Sequence, residues 1–169
     1  MPDRSNSVAV YPGTFDPVTN GHLDIIKRAR QIFPHLIVAV ASHPPHPPLF
    51  DMEERIEMVQ KATHSLPLPH LTVECLDGLL VAYARRKKAR AIIRGMRAVS
   101  DFDYELQMAM INRRLDDRIE TVFLVPSDAY TYLSSTLIKS VARYGGDVSG
   151  LVPKLVMIRL KEKFEGLVK

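Results

Sequence analysis

The sequence predicts an α/β protein, a doubly wound five-stranded parallel sheet with helices on both faces and a closing C-terminal helix. Three observations lead there. Short apolar runs alternate with longer amphipathic stretches along most of the chain. The short runs are rich in Val, Ile and Leu without polar alternation, as strands buried on both faces should be. The unusual polar residues come just after those runs, where open parallel sheets bind their ligands.

The elements follow in order. Val8–Tyr11 is the first strand candidate. It runs into the Gly/Pro-rich loop Tyr11-Pro12-Gly13-Thr14-Phe15-Asp16-Pro17. After Gly21, Ile25, Ala29 and Ile32 recur at helical spacing. Leu36–Ala41 is the second strand, followed by the Pro-rich loop from Pro44 to Pro48. Asp51 as N-cap and Glu54 at the capping-box position open a helix carrying Met52, Ile56, Val59 and Thr63. Leu71–Cys75, Ala91–Arg94 and Thr121–Val125 complete the strands, with Cys75 reading as core filler rather than a nucleophile. Phe102, Leu106 and Met110 mark a further helix, and Val141 and Tyr144 end a later one. Pro153 to Phe164 reads as the last helix, with basic residues on its exposed face. The β-α-β alternation makes the expected class Rossmann-like. No repeat or linker interrupts it, so residues 1–169 read as one domain with 1–6 a flexible tail.

The composition, with 46% hydrophobic and 25% charged residues, is that of an ordinary globular protein. A net charge of +4 favours anionic partners, and nucleotides, coenzymes and nucleic acids all qualify. The single Cys75 allows no intrachain disulfide, which fits a reducing cytoplasm. No apolar run approaches the ~20 residues of a membrane span. The polar N-terminus lacks the apolar core of a signal peptide.

Three constellations carry the chemistry. The first is Gly13-Thr14-Phe15-Asp16 with Gly21-His22. A loop between a strand and a helix N-terminus offers backbone N–H groups and a positive dipole end to an anion. Gly13 admits close backbone approach, and His22 can donate to a phosphoryl oxygen. The alternative is a capped turn. The second is Arg94-Gly95-Met96-Arg97 at a strand end, where guanidinium groups suit phosphate. The alternative is pairing of the arginines with Asp101, Asp103 or Glu105. The third is Ser134-Ser135-Thr136, hydroxyls at a helix start with Lys139 about one turn further on. Helix capping accounts for one hydroxyl only.

These residues carry a family resemblance. The run Tyr11-Pro12-Gly13-Thr14-Phe15-Asp16-Pro17-Val18-Thr19-Asn20-Gly21-His22 resembles the phosphopantetheine adenylyltransferase family of the nucleotidyltransferase superfamily. So do Ile93-Arg94-Gly95-Met96-Arg97, Asp101-Phe102-Asp103-Tyr104-Glu105 and Leu133-Ser134-Ser135-Thr136. The first run contains the superfamily's (T/H)xGH motif, and the likeness extends from Val8 to about Pro153. The resemblance implies transfer of the adenylyl group of ATP to 4'-phosphopantetheine, giving dephospho-coenzyme A and pyrophosphate. It implies Mg²⁺ as cofactor, a homohexamer, and feedback inhibition by coenzyme A. Neither nucleic acid nor membrane is an expected partner, and no protein metal ligand is assigned. It further implies His22 and Thr14 as catalytic residues. ATP would be held by Thr14, Phe15, His22, Gly95, Met96, Arg97, Glu105 and the run Tyr130, Thr131, Tyr132, Leu133, Ser134, Ser135, Thr136. The acceptor would be held by Thr14, His46, Leu80, Arg94 and Asn112. In-line attack of the acceptor phosphate on the α-phosphorus needs no protein nucleophile, only positioning and charge stabilisation.

The chain departs from the family where a lysine is expected after the second strand. The stretch Ser42-His43-Pro44-Pro45-His46-Pro47-Pro48 has no lysine and puts His46 there. Either His46 replaces it as phosphate ligand, or His46 is solvated and Arg94 does the holding. Metal binding by His43 and His46 lacks a nearby Cys or carboxylate, and a polyproline-type ligand is a less economical account than an enzyme loop. Lys139 stands where the superfamily often has Arg. Rival readings are another nucleotidyltransferase, a non-catalytic coenzyme sensor, or a nucleic-acid module built on Arg85-Arg86-Lys87-Lys88. The Arg94–Glu105 segment and Thr19 argue against the first, and the presence of both Thr14 and His22 against the second. A cationic helix end accounts for the basic run.

Overall fold

A computed structural model describes residues 7–64, 66–97 and 99–165. The expected tail at 1–6 lies outside the described residues. The strands are β1 (Val8–Gly13), β2 (His35–Ala41), β3 (Leu71–Leu76), β4 (Ala89–Gly95) and β5 (Glu120–Leu124). The helices are α1 (Asn20–Ile32), α2 (Met52–His64), α3 (Leu80–Arg86), α4 (Val99–Leu115), α5 (Ser135–Arg143) and α6 (Lys154–Glu165). All pairings are parallel and the sheet order is β3-β2-β1-β4-β5. The expected doubly wound class holds, and the order switches direction between β1 and β4, where such sheets open a ligand crevice.

The buried strands feed two apolar layers by alternation. Ala9, Tyr11, Leu36, Val38, Val40, Ala91 and Ile93 face one side, which α1, α2, α5 and α6 cover with Ile26, Met58, Ile138 and Val156. Val10, Ile37, Ala39 and Ile92 face the other, covered by Val81, Tyr83 and Ala84 of α3. Asp51 and Glu54 exchange the expected capping-box bonds at 2.8 and 2.9 Å. Lys163 pairs with Glu54 and Arg159 with Glu57, tying α6 to α2.

Two expectations need correction. Burial on both faces holds for β1, β2 and β4 but not for β3 and β5, which are sheet edges. Cys75 on edge strand β3 is therefore exposed rather than core filler. Helix α4 also turns its apolar residues outward. Phe102, Leu106, Met110, Ile111 and Leu115 are exposed, whereas Glu105 and Asn112 are buried. Of the basic run, Lys87 caps the end of α3 and pairs with Glu74.

The carboxyl ends of the central strands are sewn together by one buried cation. Arg55 of α2 is 1% exposed. Its Nη1 donates to the carbonyls of Thr14 and Ala41, both at 2.9 Å, and its Nε to that of Phe50 at 3.2 Å. Two loops and the end of β2 thus share one planar donor, a task that the fork geometry of Arg suits. Arg55→Ala strands these buried and half-buried carbonyls and is expected to cost about 3 kcal/mol, at 1–3 per unsatisfied group. Urea unfolding measures this, and a loss below about 1 kcal/mol contradicts the account.

Candidate active site

A pocket of about 480 Å³ opens at the carboxyl edge of the sheet. Its walls are the β1–α1 loop, the Pro-rich loop after β2, the end of β4, and the start of α5. Of the residues expected from the sequence, Thr14, Phe15, His22, His46, Arg94, Gly95, Arg97, Glu105 and Tyr130 line it. Leu133, Ser134, Ser135 and Thr136 line it too. Met96, Thr131, Tyr132, Leu80 and Asn112 lie outside this lining. Leu80 packs against the apolar layer of α3, and Asn112 is buried on α4.

The β1–α1 loop is shaped by Phe15. Its backbone has φ of +51°, an uncommon conformation for a bulky residue. The strained turn drives the ring inward, edge-on to Tyr11 at 5.5 Å and to His22 at 5.0 Å. A Cβ on Gly13 would meet that ring at 2.9 Å. Gly13 is therefore needed to admit Phe15, a structural reason that its expected role in ligand approach did not include.

His22 owes its state to helix capping. Thr19 is the N-cap of α1, and its side chain accepts from the His22 N–H. In return the Thr19 backbone N–H donates to His22 Nδ1 at 3.0 Å. An Nδ1 that accepts carries no proton, so the neutral ring bears its proton on Nε2. Burial, with the nearby Arg97, lowers the His22 pKa to about 4. The ring is thus a neutral hydrogen-bond donor in the pocket wall at physiological pH.

The cations of the pocket have protein partners. Arg94 forms a two-pronged ion pair with Glu105, at 2.7 Å from Nε and 2.5 Å from Nη2. The pairing alternative for Arg94 is thereby realised, yet both groups line the pocket. Arg97 donates from Nη1 to the carbonyl of Leu133 at 2.9 Å, bracing β4 against the start of α5. Ser134 caps α5 by accepting from Leu137 N, and the Ser135 hydroxyl donates to the Pro17 carbonyl at 2.8 Å. Thr136 stands exposed at the pocket in the first turn of α5. Lys139 pairs with Asp16. His46 is exposed at the rim between Pro45 and Pro47.

Several lining residues had no role expected from the sequence. Asp16, Tyr11, Tyr104 and Pro126 line the pocket, and no role was assigned to them. Asp16 had a signal, because a carboxylate in a loop expected to hold phosphate needs an explanation.

The arrangement presents a neutral imidazole donor, paired guanidinium and ammonium groups, and a helix N-terminus to one space. The Thr19 hydroxyl, 3.0 Å from His22 Nδ1, belongs to the helix cap, and the arrangement suits transfer of a phosphoryl-type group between bound anions. Comparison with known proteins supports this. The cytidylyltransferase-like family model matches residues 10–141. A phosphopantetheine adenylyltransferase of Thermodesulfovibrio yellowstonii is 55% identical over 157 residues, 92% of this chain and 96% of the relative. One from Caldanaerobacter subterraneus subsp. tengcongensis is 52% identical over 158 residues, 94% and 98% of the two chains. A solved structure from Vibrio parahaemolyticus, assigned as a nicotinate-nucleotide adenylyltransferase, superposes with a TM-score of 0.71 at 15% identity. That match covers 91% of this chain and 97% of the other, and bears on the fold alone. With half of its residues shared over nearly its whole length, the chain belongs to the phosphopantetheine adenylyltransferase family.

Proposed function

We propose that this pocket transfers the adenylyl group of ATP to 4'-phosphopantetheine, releasing pyrophosphate and forming dephospho-coenzyme A. The observation that carries the reading is the joint placement of Thr14, His22, Arg94 and Arg97 around one pocket, in a chain about half identical to such enzymes. An oxygen of the acceptor phosphate attacks the α-phosphorus in line. The new P–O bond forms as the bond to the pyrophosphate oxygen breaks, and no covalent enzyme intermediate is needed.

The chain's own residues do the rest. His22 donates from Nε2 to an α-phosphoryl oxygen as charge builds there. Because the proton stays on the ring, the group stabilises without acting as an acid. Thr14 contacts both the acceptor phosphate and the nucleotide, and Arg94 and His46 hold the acceptor phosphate. Leu80 and Asn112 serve the pantetheine arm. The ATP residues are Phe15, Gly95, Met96, Arg97, Glu105 and Tyr130 to Thr136.

Mg²⁺ fits as an ion carried on the ATP phosphates. No three His, Cys, Asp or Glu side chains gather into a metal cage among the described residues. Asp16 and Glu105, the pocket carboxylates, are engaged with Lys139 and Arg94. Mg²⁺ usually keeps its waters and binds through substrate phosphates, and there it supplies neutralisation of phosphate charge.

Assembly as a homohexamer belongs to the same proposal, supported by the outward apolar residues of α4. Coenzyme A, which shares the acceptor's arm, acts as feedback inhibitor by competing for the pocket. A cytoplasmic setting is supported by the lone cysteine. Among the described residues no helix is long and apolar enough to cross a membrane.

Turnover of ATP and phosphopantetheine with Mg²⁺, read by pyrophosphate release, tests the reading. His22→Ala is expected to lower kcat by roughly 10²–10³-fold, and equal rates refute the role of His22. His46→Ala is expected to raise KM for phosphopantetheine several-fold while leaving KM for ATP alone. An unchanged acceptor KM removes His46 from the site. The lowered pKa of His22 also has a stability consequence. Unfolded, the ring titrates near its ordinary value of about 6.5, and folded near 4. Between those values the unfolded chain binds a proton that the folded chain refuses. The contribution is fully present above about pH 6.5 and is lost as pH falls towards 4. His22→Gln should therefore lose less stability than wild type between about pH 7 and pH 5. An identical loss contradicts the lowered pKa.

A further inference from the structure

We infer that Asp16 is a positioning residue that acts through Lys139, as an internal counter-anion surrendered when pyrophosphate occupies the pocket. The inference rests on the adenylyl-transfer reading, since pyrophosphate is the group that leaves.

A pocket meant for two polyanions would be expected to avoid carboxylates, yet Asp16 is in its wall and only 3% exposed. Its two oxygens are used in three directions. Oδ2 accepts from Leu49 N and Oδ1 from Phe50 N, both at 2.9 Å. Oδ2 also receives Lys139 Nζ. The two backbone bonds anchor the Pro-rich loop that carries His46. The third bond joins the loop to helix α5 in the pocket wall.

The partners differ in mobility. Leu49 and Phe50 N–H groups are fixed by the chain, and the buried guanidinium of Arg55 adds a favourable charge to the same carboxylate. These keep Asp16 satisfied as an anion without the ammonium. Lys139 sits on a flexible four-carbon stem, with a side chain 27% exposed at the pocket. It is the fifth of the nine residues of α5, and it lines the pocket together with the first turn of that helix, where the dipole favours an anion. Lys139 can therefore leave Asp16 for a pyrophosphate oxygen while the carboxylate stays in place. When pyrophosphate departs, Asp16 takes the ammonium back. Competition by Asp16 thus lowers the ground-state affinity for pyrophosphate and favours its release.

Binding of inorganic pyrophosphate to the full chain, measured by calorimetry, tests the inference in wild type, Asp16→Asn, Lys139→Met and the double variant. Asp16→Asn is expected to bind at least about fivefold tighter, the lower end of ordinary coupling between sites. In the Lys139→Met background that gain should disappear. Unchanged or weaker binding by a cooperatively unfolding Asp16→Asn overturns the inference, and so does an equal gain without Lys139. A general structural role predicts loss, never gain. Wild type supplies a second test that does not depend on the variant folding. The Lys139 ammonium ¹⁵N signal should move on saturation with pyrophosphate, while the Leu49 and Phe50 amides stay bonded. A Lys139 signal that does not move means that the ion pair persists, and the inference fails. Wild-type turnover, measured alongside, separates the two failures. An active enzyme without these effects loses only the role of Asp16, whereas an inactive one loses the reading beneath it.

Discussion

The buried guanidinium of Arg55 is the constraint on which the site depends. Alone it would be an expensive group to remove from water. It is tolerated because Nη1 donates to two carbonyls and Nε to a third, while Nη2 meets the Met52 sulfur. Those carbonyls belong to Thr14, Ala41 and Phe50, so the end of β1, the end of β2 and the entry to α2 cannot move independently. Asp16 completes the frame from the other side through Leu49 and Phe50. Loops are ordinarily the mobile part of such sheets. Here two of the loops that face the substrates are held by buried polar bonds, which is the condition for catalysis by positioning.

Within that frame the imidazole is set by secondary structure rather than by a carboxylate partner. The reciprocal cap between Thr19 and His22 starts helix α1 and selects the tautomer in one arrangement. The choice agrees with the chemistry. A phosphate nucleophile needs no base, so an imidazole that keeps its Nε2 proton serves better than one poised to titrate. The cations follow a similar economy. Arg94 and Lys139 are each held by a carboxylate, which fixes them in place.

Much of this was legible in the sequence because it is local. Apolar runs give strands, a Gly-Thr loop before a helix gives a wall of the pocket, and Asp51 with Glu54 gives a cap. The strands emerged within one or two residues of their expected ends. What was not legible depends on neighbours distant in sequence. Cys75 is apolar in character and sits in a strand run, but only sheet order reveals β3 as an edge. Phe102, Leu106 and Met110 mark a helix correctly, yet periodicity cannot say that their side of α4 faces outward. Asp16 and Lys139 are 123 positions apart, and nothing in either local pattern announces the pair. Gly13 was legible as a necessary glycine, but for a different reason from the steric one.

The central claim is that the site is set before any substrate arrives, by backbone bonds that leave His22 neutral with its proton on Nε2. The most direct test is ¹⁵N–¹H spectroscopy of the His22 ring in the ligand-free protein, followed from about pH 8 to about pH 5. The account predicts one unchanging pattern, an Nε2–H signal with an unprotonated, hydrogen-bonded Nδ1. A ring that titrates near its ordinary value, or one that carries its proton on Nδ1, would contradict it.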